Sequence, residues 1–180
     1  SCLFSSALIR SFSFLSSINT DTNDIDFDKA TVELLQLKGG ILVKSENLGS
    51  AKFARITLPQ LPVDEIPIIY DTPTDSLIHF TVSYPNGNFQ ILDGQFLHHQ
   101  PDLQKKSDYH IKNAQQAYED LKNGNAYMIN PQNLTNIDIT NVQVRYYLDK
   151  NPDEYLLPVI VFTGINFTAY VQALPTDSLN

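Results

Sequence analysis

The sequence predicts an α+β protein of two tandem modules, each an antiparallel sheet with a helix packed on one face. Three observations lead there. Short runs of alternating apolar residues are separated by turns rich in Pro, Gly and Asn, the pattern of antiparallel sheets. One segment, Asn113 to Gly124, carries both a helical start and a helical stop. A pattern of Arg, Pro, Asp-Glu and Pro in residues 54–70 returns in residues 144–162, an offset of about 90 in a chain of 180 residues.

In chain order, Phe4, Leu8, Phe12 and Leu15 fall on one helical face and predict an amphipathic helix over 3–18. The polar stretch Asn19–Asp24 reads as a loop. Thr31–Ser45 reads as a β-hairpin around Gly39-Gly40, with a helix over 28–38 as its rival because Ala30, Leu34 and Leu37 also share a helical face. Phe53–Leu58 and Ile66–Tyr70 read as strands, and the three prolines of the Pro59–Pro67 stretch keep it out of a central ladder. Leu77–Tyr84 and Phe89–Leu97 form a hairpin across Pro85-Asn86-Gly87-Asn88, since Asn-Gly tolerates positive φ. His98–Asp108 is a polar connector.

The helix comes next, over 114–123. Asn113 caps it, Gln116 completes a capping box, and Gly124 stops it. Ala114, Ala117, Tyr118 and Leu121 are expected on its apolar face. Ile137–Leu148, Leu156–Phe162 and Phe167–Leu174 complete the strands. The repeat divides the chain into a first module over 1–108 and a second over 109–180. Arg55 and Arg145 become equivalent positions, each early in a strand and followed by a Pro-containing turn, an Asp-Glu pair and a second strand. Modules of about 90 residues bury little apolar surface alone, so the halves are expected to pack on each other.

Composition narrows the function classes. Twelve Lys+Arg stand against 20 Asp+Glu, giving a net charge of -8, and Lys105-Lys106 is the only basic cluster; nucleic-acid binding is therefore disfavoured. At 18% charged and 42% hydrophobic residues, the chain has the material for a core. Cys2 has no partner for an internal disulfide. The apolar start, Cys2–Ile18, is broken by Arg10 and six Ser, so it matches neither a spanning helix nor a signal peptide. Any anchor is expected upstream of Ser1, which reads as a processing boundary, and lipidation of Cys2 stays open.

Candidate chemistry is sparse, and no catalytic, cofactor-binding or metal-ligating residues are expected. His98-His99 point to opposite sides of an extended chain and read as exposed connector histidines, while His79 sits inside a strand and His110 stands apart. Asp21–Asp28 spaces oxygen side chains as calcium ligands often are, without the Gly and bidentate Glu of an EF-hand, and reads as a solvated loop. No Gly-x-Ser-x-Gly elbow or phosphate loop is present. Arg55 and Arg145 pair either with the acids of their own hairpins, Asp64-Glu65 and Asp153-Glu154, or with a partner such as a peptide carboxylate. These six residues are the candidate partner-facing set.

Ala51–Gln100, the helix Asn113–Gly124, and Val142–Leu174 with its Leu157-Pro158-Val159-Ile160-Val161-Phe162 strand resemble a group of bacterial extracytoplasmic proteins. These are single-pass or lipid-anchored proteins similar to YycI-type accessory regulators and, more distantly, to PepSY modules. This sequence has Tyr118 where Trp is usual and Gln115-Gln116 where Glu-Glu is usual. The resemblance implies a non-enzymatic regulatory or scaffolding domain, tethered to the membrane, whose partner is a protein of the cell envelope. Its alternative implication is a PepSY-like peptide-binding or peptidase-inhibitor module, with a Tyr- and Phe-lined groove between the halves. In a bacterial protein the sequons at Asn133 and Asn166 would carry no glycan.

Overall fold

The computed structural model describes residues 23–71, 76–83, 90–129, 137–148 and 156–175. The protein is largely β with one short helix among those residues. The first strands are β1 (Thr31–Lys38), β2 (Ile41–Lys44), β3 (Phe53–Thr57), β4 (Ile68–Ile69), β5 (Ile78–Ser83) and β6 (Gln90–Phe96). Helix α1 (Ala114–Lys122) follows, then β7 (Tyr127–Ile129), β8 (Ile139–Tyr147), β9 (Leu157–Gly164) and β10 (Phe167–Gln172). The chain divides into two compact units, Ser1–Leu61 with Ser76–His98 and Pro62–Asp75 with His99–Asn180.

The first unit is an antiparallel sheet in the order β2-β1-β3-β5-β6. Strand alternation places Ala54, Ile56, Ile78 and Val82 on one face, where they join Ile25 and Leu58 in the core, flanked by Phe27, Phe80, Ile91 and Phe96. Ile78 and Leu58 are almost wholly buried, each contributing about 1.5–3 kcal/mol of apolar transfer. Buried Ser76 supports them: its hydroxyl donates to the Leu58 carbonyl at 2.6 Å and accepts from the Ile78 amide. The expected hairpin over 31–45 forms, and its helical rival does not. Only a 3-10 turn, Phe27–Lys29, precedes β1, capped by Asp26, whose side chain accepts from the Lys29 amide at 3.1 Å. The helix expected over 3–18 and the turn expected at Pro85–Asn88 lie outside the described residues; the strands that flank the turn, β5 and β6, are paired.

The second unit is a sheet in the order β4-β8-β9-β10-β7, antiparallel except for the parallel pair β4–β8. Helix α1 packs on one face of it, with Ala117 fully buried against Ile160, Phe162, Phe167, Ala169 and Val171. The capping box reads as predicted: the Gln116 amide donates to Asn113 Oδ1 and the Asn113 amide to Gln116 Oε1, both at 2.9 Å. Gly124 takes φ +79° just past the helix end. Lys112 ties the helix to β10, its Nζ lying 2.8 Å from Oδ2 of Asp120 in the last turn and 3.1 Å from the Gln172 carbonyl.

Several expectations are corrected. The apolar face of α1 is narrower than its sequence predicts: Ala117 and Leu121 face the sheet, while Ala114 is exposed and Tyr118 lies outward beneath the Lys122 ammonium, 5.1 Å from the ring centre. Residues 62–75 belong with the second unit rather than the first, because β4 pairs with β8. The two Arg-to-Pro repeats are consequently not equivalent hairpins. Strands β8 and β9 are neighbours, whereas β3 and β4 lie in different sheets. Strand β7 was not foreseen, since three residues after a helix carry no readable alternation.

The turn within 62–75 is strained. Val63 and Ile66 exchange backbone hydrogen bonds of 3.0 and 2.9 Å around Asp64 and Glu65, which both adopt positive φ, +47° and +65°. That is the type I′ pattern, which favours Asn-Gly or Asp-Gly, and a side chain in this region costs about 1–2 kcal/mol. Glu65→Gly is expected to raise the unfolding free energy by about 0.5–1 kcal/mol, after the extra chain entropy of glycine is subtracted. A higher urea midpoint at unchanged slope would register it.

Candidate functional site

The face of the second sheet turned away from α1 gathers the most chemistry. Because Ile160, Phe162, Ala169 and Val171 point to the helix, alternation sends Gln143, Arg145, Tyr147, Val161 and Tyr170 to the opposite face. Tyr127 joins them, since it is paired directly with Tyr170 across β7 and β10. The Tyr170 ring lies between two others, its centroid 6.1 Å from Tyr127 and 6.2 Å from Tyr147, with the ring planes tilted by 37° and 55°. Such tilted contacts are a favourable arrangement of aromatic quadrupoles. Asp71, just past β4, accepts a 2.5 Å hydrogen bond from the Tyr147 hydroxyl.

Exposure grades across the cluster. Tyr127 is 58% exposed, whereas Tyr170 is 5% exposed and its hydroxyl has no hydrogen-bond partner among the described residues. Burial, with the Tyr127 ring and the Asp71 carboxylate adding to it, pushes the Tyr170 phenol up to about 12. At neutral pH Tyr170 is therefore a protonated, neutral phenol. Two flanking rings, a neutral phenol and a carboxylate equip this face for binding.

Of the six sequence-derived residues, Arg55, Asp64, Glu65 and Arg145 lie among the described residues. Arg55 lies in β3 directly opposite Glu33 of β1 and Thr81 of β5, on the face of the first sheet turned away from its core. Its cross-strand neighbour on β1 is therefore the acidic Glu33. Asp64 forms an exposed ion pair with Lys106 at 3.4 Å, an interaction of about 0–1 kcal/mol. Arg145 lies on the tyrosine face, where its Nη2 donates to Gln143 Oε1. Asp153 and Glu154 lie outside the described residues. Arg145 shares the face of the cluster, two positions from Tyr147 on β8.

The histidines also differ from expectation. His98 is not a solvated connector residue: its side chain is 12% exposed, and its Nε2 lies 2.6 Å from Asp24 Oδ1. This contact ties residues 74 apart, and Phe96 packs beside the imidazole at 6.1 Å. His79 Nδ1 lies 3.1 Å from the Ser76 carbonyl. Within the expected calcium-like loop, Asp26 is buried and bound to Lys29 at 2.8 Å, and that hydrogen bond holds its carboxyl below the usual range against the opposing effect of burial. Among the described residues, no three His, Cys, Asp or Glu side chains are grouped to hold a metal, and no helix is long and apolar enough to cross a membrane.

Sequence reasoning passed over Tyr127, Tyr147, Tyr170 and Asp71. The only available signal was three tyrosines at sheet-facing positions, which strand alternation cannot align until the pairing is known. Comparison with family models, with curated proteins and with solved structures finds no match to this chain.

Tyr170 makes a prediction about alkaline stability. Its phenol ionises near 10 when unfolded and near 12 when folded, so its stabilising contribution is complete below pH 10 and fades as pH rises through 12. Tyr170→Phe removes that part of the alkaline loss. At neutral pH it should stabilise the fold by roughly 1 kcal/mol, because no buried hydroxyl is left unpaired. Chemical unfolding of both proteins from pH 7 to 12 measures the two effects.

Proposed function

We propose that this chain is a non-enzymatic interaction domain of a membrane-anchored, extracytoplasmic protein, regulating or scaffolding an envelope protein by direct contact. On this reading the chain works at the cell surface, held to the membrane by an anchor. The resemblance to YycI-type regulators motivates the setting. One observation carries the mechanism: β7 is the outer strand of its sheet, and it presents Tyr127 and Met128, 58% and 38% exposed, beside the tyrosine cluster. An outer strand offers backbone donors and acceptors to an added strand, and the flanking side chains supply selectivity. Arg145 on the same face also favours a second reading, a PepSY-like site for a peptide carboxylate.

The test is capture from native membranes with the wild-type chain and with Tyr127→Asp, Met128→Pro, Arg145→Glu and Arg55→Glu. The two β7 changes should reduce recovery of the partner by tenfold or more, about 2 kcal/mol of lost contact, in a chain that stays folded at the capture temperature. Equal recovery by all five proteins would sink the proposal. Loss confined to Arg145→Glu, with competition by free peptides, would favour the peptide-binding reading. If Arg55→Glu changes only stability, Arg55 has no contact role.

A further inference from the structure

The β1–β2 hairpin extends past the sheet that carries it. Strand β1 pairs with β3 only over Thr31–Leu35, whereas its pairing with β2 continues through Gln36↔Val43, Leu37↔Leu42 and Lys38↔Ile41. Three residue pairs, about 10 Å of strand, therefore form a two-stranded ribbon beyond the end of β3. Gly39 and Gly40 close it with φ +60° and +84°, and nothing lies within 4 Å of where their side chains would be. Each face of the ribbon carries exposed apolar side chains. Leu37 and Leu42, 58% and 38% exposed, share one face, and Ile41, 68% exposed, lies on the other beside Lys38.

We propose that this tip inserts into the interfacial layer of an anionic lipid bilayer. Charge favours lipid: Gln36–Lys44 contains two lysines and no acid in a chain of net charge -8. Its nearest acidic partner, Glu33, lies back on the sheet, 3.6 Å from Lys44. Geometry favours it as well. A protein groove covers one face of a ribbon, whereas a bilayer surrounds both, and an overhang of about 10 Å matches the depth of roughly 5–10 Å reached by interfacial apolar groups. The β1–β2 ladder satisfies the inward backbone groups of the tip, and the Lys38 and Lys44 stems extend their ammonium groups back to the headgroups. The site is distinct from β7 and does not rest on the proposed protein contact.

Flotation of the full chain with vesicles of phosphatidylcholine, alone or with about one-third phosphatidylglycerol, tests this. The wild-type chain should float with the anionic vesicles and be released by salt. Leu37→Asp and Ile41→Asp, with Leu37→Ser and Ile41→Ser as milder forms, should each lower the bound fraction by about tenfold at an unchanged melting temperature. Lys38→Gln should lower it about fivefold on anionic vesicles and leave any binding to neutral ones unchanged. Absence of flotation at low salt overturns the inference, as does flotation indifferent to these substitutions. A concentration-dependent dimer that the same substitutions abolish, without flotation, assigns the tip to a second copy of the chain and overturns it too. Retained capture of a protein partner through β7 by a chain that does not float separates this failure from that of the proposed function.

Discussion

Two backbone hydrogen bonds set the arrangement of the second unit: the Tyr146 amide donates to the Pro67 carbonyl at 3.0 Å, and the Leu148 amide to the Ile69 carbonyl at 2.9 Å. Proline has no N–H to contribute, so Pro67 suits the end of an outer strand, where only its carbonyl is needed. These bonds lay β4 parallel to β8 and bring Asp71 to the Tyr147 hydroxyl, with Tyr170 behind it. Without them, Asp71 would be a loop carboxylate among many. The short strand expected within Ile66–Tyr70 is thus the piece that completes the polar edge of the tyrosine face.

That face combines groups of opposite demands. Tyr127 accepts solvent contact, while Tyr170 is buried deeply enough to stay protonated far above neutral pH. Burial of a hydroxyl without a partner costs stability, and folded proteins keep such groups chiefly where local packing or contact with another molecule outweighs the loss. The first unit is organised differently. Its core face is aliphatic and aromatic, and a side-chain tie distant in sequence, the Asp24–His98 pair, joins its ends.

Legibility followed the range of the interactions. Helix α1 was readable to within a residue because its cap, its periodicity and its stop all lie inside twelve consecutive residues, Asn113 to Gly124. The β1–β2 hairpin was readable because Gly39-Gly40 dictates a turn, and β5 and β6 because both strands alternate. What escaped depended on partners distant in sequence. Asp71 and Tyr147 are 76 residues apart and His98 and Asp24 are 74 apart, with no local mark that they meet. Tyr118 misled for another reason: helical spacing places it beside Ala117, yet in the fold its ring lies outward beneath Lys122. The tandem repeat of Arg and Pro described composition along the chain, while pairing across it distributed β3 and β4 to different sheets.

The interleaving of the two units has a consequence for how the protein is made. The chain contributes to the first unit up to Leu61, crosses into the second for Pro62–Asp75, returns for Ser76–His98, and then finishes the second. During synthesis, β4 emerges long before β8, the strand it pairs with among the described residues, and must wait while β5 and β6 are made and the first sheet closes. Contacts so distant in sequence close slowly because the intervening loop resists ordering. The short proline-bearing β4, only two residues long, offers little template for wrong pairing during that wait. Its brevity is therefore a safeguard on the nascent chain as much as a property of the finished sheet.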